Sequence, residues 1–140
     1  MPLAGFNSLC EDHASIIISK DSRNPQKHVA NNINKSYVTH YKVDGVVIQV
    51  GDRCDFLLIN EDAKIAYLIE LKGSDLSKAA EQLEATEKKL YEQLNAYSKR
   101  YRIISNKCKT TEIRHSSYNK YKMKWGKNLI QKSELYSENI

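Results

Sequence analysis

Asp55-Phe56-Leu57-Leu58-Ile59-Asn60-Glu61-Asp62-Ala63-Lys64-Ile65-Ala66-Tyr67-Leu68-Ile69-Glu70-Leu71-Lys72-Gly73 sets the frame into which the other residues fit. Two apolar runs, residues 56–59 and 65–71, flank a polar segment at 60–64, and this pattern predicts a β-hairpin of two largely buried strands. Successive strand side chains point to opposite faces, so Glu70 and Lys72 share a face that Leu71 does not. Antiparallel pairing returns Asp55, at the open end, to the side of Glu70 and Lys72. Two carboxylates and an ammonium then meet at the edge of an apolar sheet. Buried charge is costly unless paired, and a divalent cation is a natural way to hold two carboxylates together.

Asp55, fourteen intervening residues and then Glu70-Leu71-Lys72 resemble the PD-(D/E)xK superfamily of metal-dependent nucleases. The resemblance runs over residues 46–105. It implies an α/β fold of the restriction-endonuclease-like kind, a mixed central sheet flanked by helices. It also implies that Asp55 and Glu70, with the Leu71 carbonyl, bind Mg²⁺ or Mn²⁺, and that Lys72 positions or activates the attacking water. Members often carry an acid on an N-terminal helix, for which Glu11 is the best-placed match, with His13 as a companion. Gln82 falls where several branches carry a helical glutamine that orients water or a phosphate oxygen. Cys54 stands where a proline commonly precedes the first acid.

The chain's 140 residues suit one domain, 1–140, with 41% hydrophobic and 28% charged residues. Cys10, Cys54 and Cys108 form no close metal-binding pair and cannot all pair within one chain. With no signal-like start and no membrane-length apolar run, a reducing cytoplasmic setting without membrane contact is expected. The formal charge of +5 is regional. Residues 1–98 hold fourteen acids against eleven bases, whereas the basic region 99–132 holds eleven bases against one acid. A phosphate backbone is the natural partner of that excess.

Outside the hairpin, Ser8–Asp12 reads as helical and Ile16-Ile17-Ile18 as a short strand. Pro25 opens a short helix carrying Val29, Ala30 and Ile33 on one face. A hairpin is expected from residues 37–43 and 46–50 across Asp44-Gly45, with Asp52 an alternative acid to Asp55. Ser74 is placed as the N-cap of a long helix whose stripe is Leu76, Ala80, Leu83, Leu90, Leu94 and Tyr97, broken by Glu87. Residues 101–105 form the strand after it. Residues 118–127, alternating aromatic or apolar groups with lysine, read as a half-buried strand whose outer row, Lys120, Lys122 and Lys124, grips phosphates, with Lys127 as a further nucleic-acid contact. The chain end is expected to be a surface segment.

A divalent-metal-dependent endonuclease or exonuclease is the function these residues favour, with DNA preferred to RNA on the resemblance alone. A homodimer or a separate specificity protein would complete so small an enzyme. A non-catalytic nucleic-acid-binding module accounts for the basic region alone, and a protein-interaction module treats both helix and basic patch as interface. The absence of a Gly-rich phosphate loop argues against a nucleotide-binding enzyme, and the scattered Cys and His argue against a classical zinc site.

Overall fold

The computed structural model describes residues 3, 5–71, 75–106 and 116–140. Its centre is the expected hairpin. Strands β5 (Phe56–Asn60) and β6 (Ile65–Leu71) pair antiparallel from Phe56 opposite Ile69 to Asn60 opposite Ile65. The turn between them is closed by the Ala63 N–H donating to Asn60 Oδ1 at 3.0 Å. Lys64 there has φ of 58°, one of three left-handed non-glycine residues among the described residues.

Around this hairpin runs a six-stranded mixed sheet in the order β1-β4-β5-β6-β7-β8. Strands β1 (Cys10–Asp12) and β4 (Val38–Lys42) extend it antiparallel on one side. On the other, β7 (Ser98–Ser105) lies parallel to β6, and β8 (Leu129–Ser133) parallel to β7. A parallel neighbour needs a crossover. Helix α1 (Leu76–Lys89) and the one-turn α2 (Tyr91–Leu94) supply it between β6 and β7, and α3 (Ser116–Trp125) with the 3₁₀ turn Gly126–Asn128 precedes β8.

The two faces of the sheet are covered differently. Tyr41, Leu57, Ile59, Ala66, Leu68 and Ile103 face α1 and α3, packing on Leu76, Ala80 and Leu83 and on Tyr118, Tyr121 and Trp125. Val38, Phe56, Leu58, Tyr67, Ile69 and Leu71 face a second sheet of three strands, β2 (Ile16–Lys20), β3 (Lys27–Asn31) and β9 (Leu135–Asn139). Apolar groups on both faces explain why residues 56–59 and 65–71 read as near-continuous hydrophobic runs rather than alternating ones.

Several expectations are corrected. Residues 8–12 are not helical: residues 10–12 form an edge strand. The helix placed after Pro25 is strand β3, with His28 and Ala30 inward and the residues between them half-buried, a period-2 pattern that tertiary pairing with β2 and β9 stabilises. Residues 46–50 form no strand among the described residues. The Val43 carbonyl instead accepts from the N–H groups of Val46, Val47 and Ile48 at 3.0–3.3 Å, and Gly45 and Gly51 take φ of 80° and 88°. Residues 116–125 form α3, which turns Tyr118, Tyr121 and Trp125 inward and leaves Met123 82% exposed. The chain end is two strands joined at Glu134, with φ of 69°. Even the start is partly anchored, because buried Leu3 donates its N–H to the Tyr41 hydroxyl at 2.6 Å. Asp75 caps α1 through the Lys78 N–H at 3.0 Å, whereas Ser74 lies outside the described residues.

Candidate active site

Asp55 sits at the open end of the hairpin and is held by its backbone on both sides. Its N–H donates to the Ile69 carbonyl at 3.1 Å, and its own carbonyl accepts from the Val43 N–H at 2.9 Å. Its side chain closes the frame, with Oδ2 accepting the Leu71 N–H at 2.8 Å. Bonds to residues 69 and 71 set Asp55 opposite Glu70, the position reached by continuing the β5–β6 register one residue. Strand alternation then points both carboxylates to the α1 face, Asp55 with Leu57 and Ile59, Glu70 with Ala66 and Leu68. Glu70 is fully buried and Asp55 is 7% exposed.

Cys54 registers the field of this pair. Burial is the main cause that pushes its thiol up; the Thr86 hydroxyl opposes the shift, and the Glu70 and Asp55 carboxylates add to it. The thiol points at the Phe56 carbonyl, 3.4 Å away, while the Cys54 N–H donates to Thr86 Oγ1 at 2.7 Å. Thr86 passes its own proton to the Gln82 carbonyl at 2.9 Å. One turn of α1 is thus bonded directly to the strand entry that carries Asp55. The Leu-Ala stripe showed the helix in the sequence, but nothing there marked Thr86 as this anchor.

Two clefts lie near the open end of the hairpin, and Asp55 lines one of them. On the helix side, Asp44, Gly51, Asp52, Arg53 and Gln82 line a space of about 210 Å³. Gln82 therefore borders a cleft and is half-buried. The rim is built from ion pairs, Arg53 Nε to Asp44 Oδ1 at 2.8 Å and Lys78 Nζ to Asp52 Oδ1 at 3.1 Å. Lys89 Nζ adds bonds to the carbonyls of Val50 and Asp52, and it fills the space a side chain at Gly51 would need. On the small-sheet side a second cleft, also about 210 Å³, is lined by Asp21, Arg23, Lys42, Asp44, Asp55 and Phe56. Sequence reading singled out neither Asp21, Arg23, Lys42 nor Asp44. They come from the β2–β3 turn and the end of β4, and no local pattern announces that those segments meet.

Other predicted site residues lie elsewhere. Glu11 is on edge strand β1, opposite Thr39, which is itself opposite Ile59. That is four residues along β5 from Asp55, roughly 13 Å, and two strands away. The Glu11 carboxylate accepts from Ser8 Oγ at 2.7 Å at the surface, and His13 Nδ1 bonds with the Lys35 carbonyl at 2.7 Å. Asp52 pairs with Lys78 rather than joining Glu70. Lys72 lies outside the described residues. Lys120, Lys122, Lys124 and Lys127 do not form a row. On a helix Lys120 and Lys124 share a face that Lys122 does not, Lys124 pairs with Glu84 at 2.8 Å, and Lys120 lies over the Tyr121 ring.

No protein-family model, no curated protein and no solved structure matches the chain. The architecture is a mixed α/β sheet with helices on one face.

The donor chemistry at Asp55 and Glu70 suits a hard divalent cation, which takes oxygen ligands. Among the described residues no group of three or more His, Cys, Asp and Glu is arranged to hold a metal. The described residues therefore offer a cation two carboxylates here, Asp55 and Glu70. Such a pair fits Mg²⁺, which commonly keeps several waters and is bound through one or two carboxylates plus substrate phosphate.

Proposed function

We propose that this protein is a divalent-metal-dependent nuclease of the PD-(D/E)xK kind, hydrolysing phosphodiester bonds. The observation that carries this reading is the opposition of Asp55 and Glu70 on one face at the end of the central hairpin, with the Leu71 amide locking the Asp55 carboxylate in place. A buried pair of like charges is expensive to build. It is readily understood as a cation site, and less so as a strand terminus.

A bound Mg²⁺ or Mn²⁺ would act as a Lewis acid, lowering the pKa of a coordinated water and offsetting charge on the phosphate. Asp55 and Glu70 would hold that ion, and the Leu71 N–H fixes the Asp55 carboxylate by donating to its Oδ2. Lys72, two residues beyond Glu70 in the sequence, would orient the attacking water or steady charge on the phosphate. Gln82, on the first turns of α1, orients water or a phosphate oxygen from the helix-side cleft. DNA is the favoured substrate.

The test compares the unsubstituted chain, Asp55→Asn and Glu70→Gln on labelled single-stranded and duplex DNA and RNA, with Mg²⁺, Mn²⁺ or EDTA. Asparagine keeps an oxygen to accept the Leu71 N–H, so the fold is retained while the charge is lost. Metal-dependent cleavage is expected, falling by about 100-fold or more in either variant, the scale of losing a transition-state stabilising group. Tight binding without cleavage under every condition would instead assign a non-catalytic binding module.

A further inference from the structure

The small-sheet cleft has one base, Lys42, that makes no ion pair among the described residues. Among the described residues, Arg53 is paired with Asp44, Arg23 lies 3.9 Å from Asp21, and Lys42 makes no ion pair. Lys42 is exposed, and it ends β4 directly opposite Phe56, so it stands beside Asp55 in the adjacent strand. Strand alternation points Lys42 and Phe56 away from the helices and into the cleft, whereas the Asp55 carboxylate faces the other side of the sheet's end. The far wall is the β2–β3 turn, where the Arg23 N–H donates to Asp21 Oδ1 at 3.0 Å and the Arg23 side chain is 88% exposed. Phe56 supplies an apolar floor, stacked on His40 at 5.4 Å.

We propose that Lys42, with Arg23 across the cleft, binds a backbone phosphate of a single nucleic-acid strand next to the bond attacked at Asp55. The ligand class follows from size and charge. The cleft, about 210 Å³ in volume, has room for a phosphate group but not for a base pair. An ammonium that makes no ion pair among the described residues, in a cleft whose other base lies on its outer rim, is a phosphate contact, and such contacts position a strand without reading its sequence. Lys42 is thus a positioning residue that holds the strand at the end of the sheet that carries Asp55. The inference takes the identity of the strand from the nuclease reading, and its test separates the two by measuring binding apart from cleavage.

In an Asp55→Asn background, which removes both turnover and one repelling charge, the affinity for labelled single-stranded DNA and RNA oligonucleotides is titrated at several salt concentrations. Adding Lys42→Ala should weaken binding about tenfold, the scale of one charged hydrogen bond. It should also flatten the dependence of log K on log salt by about 0.7, the value for one phosphate contact on a single strand. Lys42→Arg should restore both. Lys99→Ala, the same charge change at the opposite end of the sheet, supplies the reference. Equal affinity and slope for Lys42→Ala and Lys99→Ala overturn the assignment, as does failure of the Asp55→Asn protein to bind either oligonucleotide. Cleavage by the unsubstituted chain combined with Lys42-independent binding leaves the nuclease reading standing and removes this one. Lys42-dependent binding without cleavage does the reverse.

Discussion

Cys54 carries a thiol whose ionisation is opposed by burial and by the charges of Glu70 and Asp55. Thiolate is the nucleophile in alkylation, so the side chain is chemically silent in the folded state despite its place beside Asp55. In native protein at pH 8, iodoacetamide should leave Cys54 unmodified while labelling it fully in denaturant, as followed by peptide mass spectrometry. Rapid native labelling would mean that the entry to β5 opens to solvent. At this scale the sequence was informative about Asp55 and Glu70, because a period of two and a hairpin turn are local properties that decide which side chains face each other. It was silent about Lys42, Arg23, Asp21 and Asp44, which are brought to Asp55 only by contacts between segments distant along the chain.

Helix α1 is tied to the entry of β5 by the Thr86 hydroxyl. Thr86 is fully buried and accepts the Cys54 N–H, and the apolar stripe from Leu76 to Leu83 presses the helix against the sheet to make that bond. Thr86→Val keeps the shape and removes the acceptor, leaving a buried donor unsatisfied. It should cost about 1–3 kcal/mol in urea unfolding and reduce cleavage, while Thr86→Ser should recover most of both. The elements that sequence reading misassigned share one cause. Residues 27–31 and 116–125 carry apolar groups at spacings compatible with either period over so short a run. For 27–31, two strands on either side provide backbone partners and decide for β. For 116–125, the ring stack of Tyr101 on Trp125, with centroids 3.9 Å apart, and the packing of Tyr121 against α1 decide for helix.

Across the whole molecule, the small sheet is tied to the central one by buried charge. Arg102 of β7 grips Glu138 of β9 through Nε to Oε2 at 2.8 Å and through its other terminal nitrogen to Oε1 at 3.0 Å, and His28 of β3 bonds to the same Oε2 at 2.6 Å. Burial pushes the Glu138 carboxyl up, but the His28 and Arg102 bonds outweigh it and hold the carboxyl below its usual range. Arg102→Ala would leave that carboxylate buried without its main partner and should destabilise the fold by about 3–5 kcal/mol in urea. His40, buried under the same sheet with Nε2 2.9 Å from Ser19 Oγ, has its pKa lowered to about 4, first by burial and then by the charge of His28. An unfolded histidine takes up its proton near 6.5 whereas the folded one resists until about 4, so stability present at neutral pH should be lost across that window, by about 3 kcal/mol. Glu138, with a depressed pKa, adds loss in the same direction as pH falls. Unfolding midpoints measured from pH 7 to pH 4 should decline, and a flat profile would show that His40 is protonated without cost in the fold. The central hairpin, the α1 stripe and the opposition of Asp55 to Glu70 were legible in the order of residues, because each rests on periodicity and short-range pairing. The second sheet, the helical state of 116–125, the dispersal of the lysines and the two clefts were decided by tertiary structure, because they depend on which distant segments supply backbone partners, bury aromatic rings and neutralise charge.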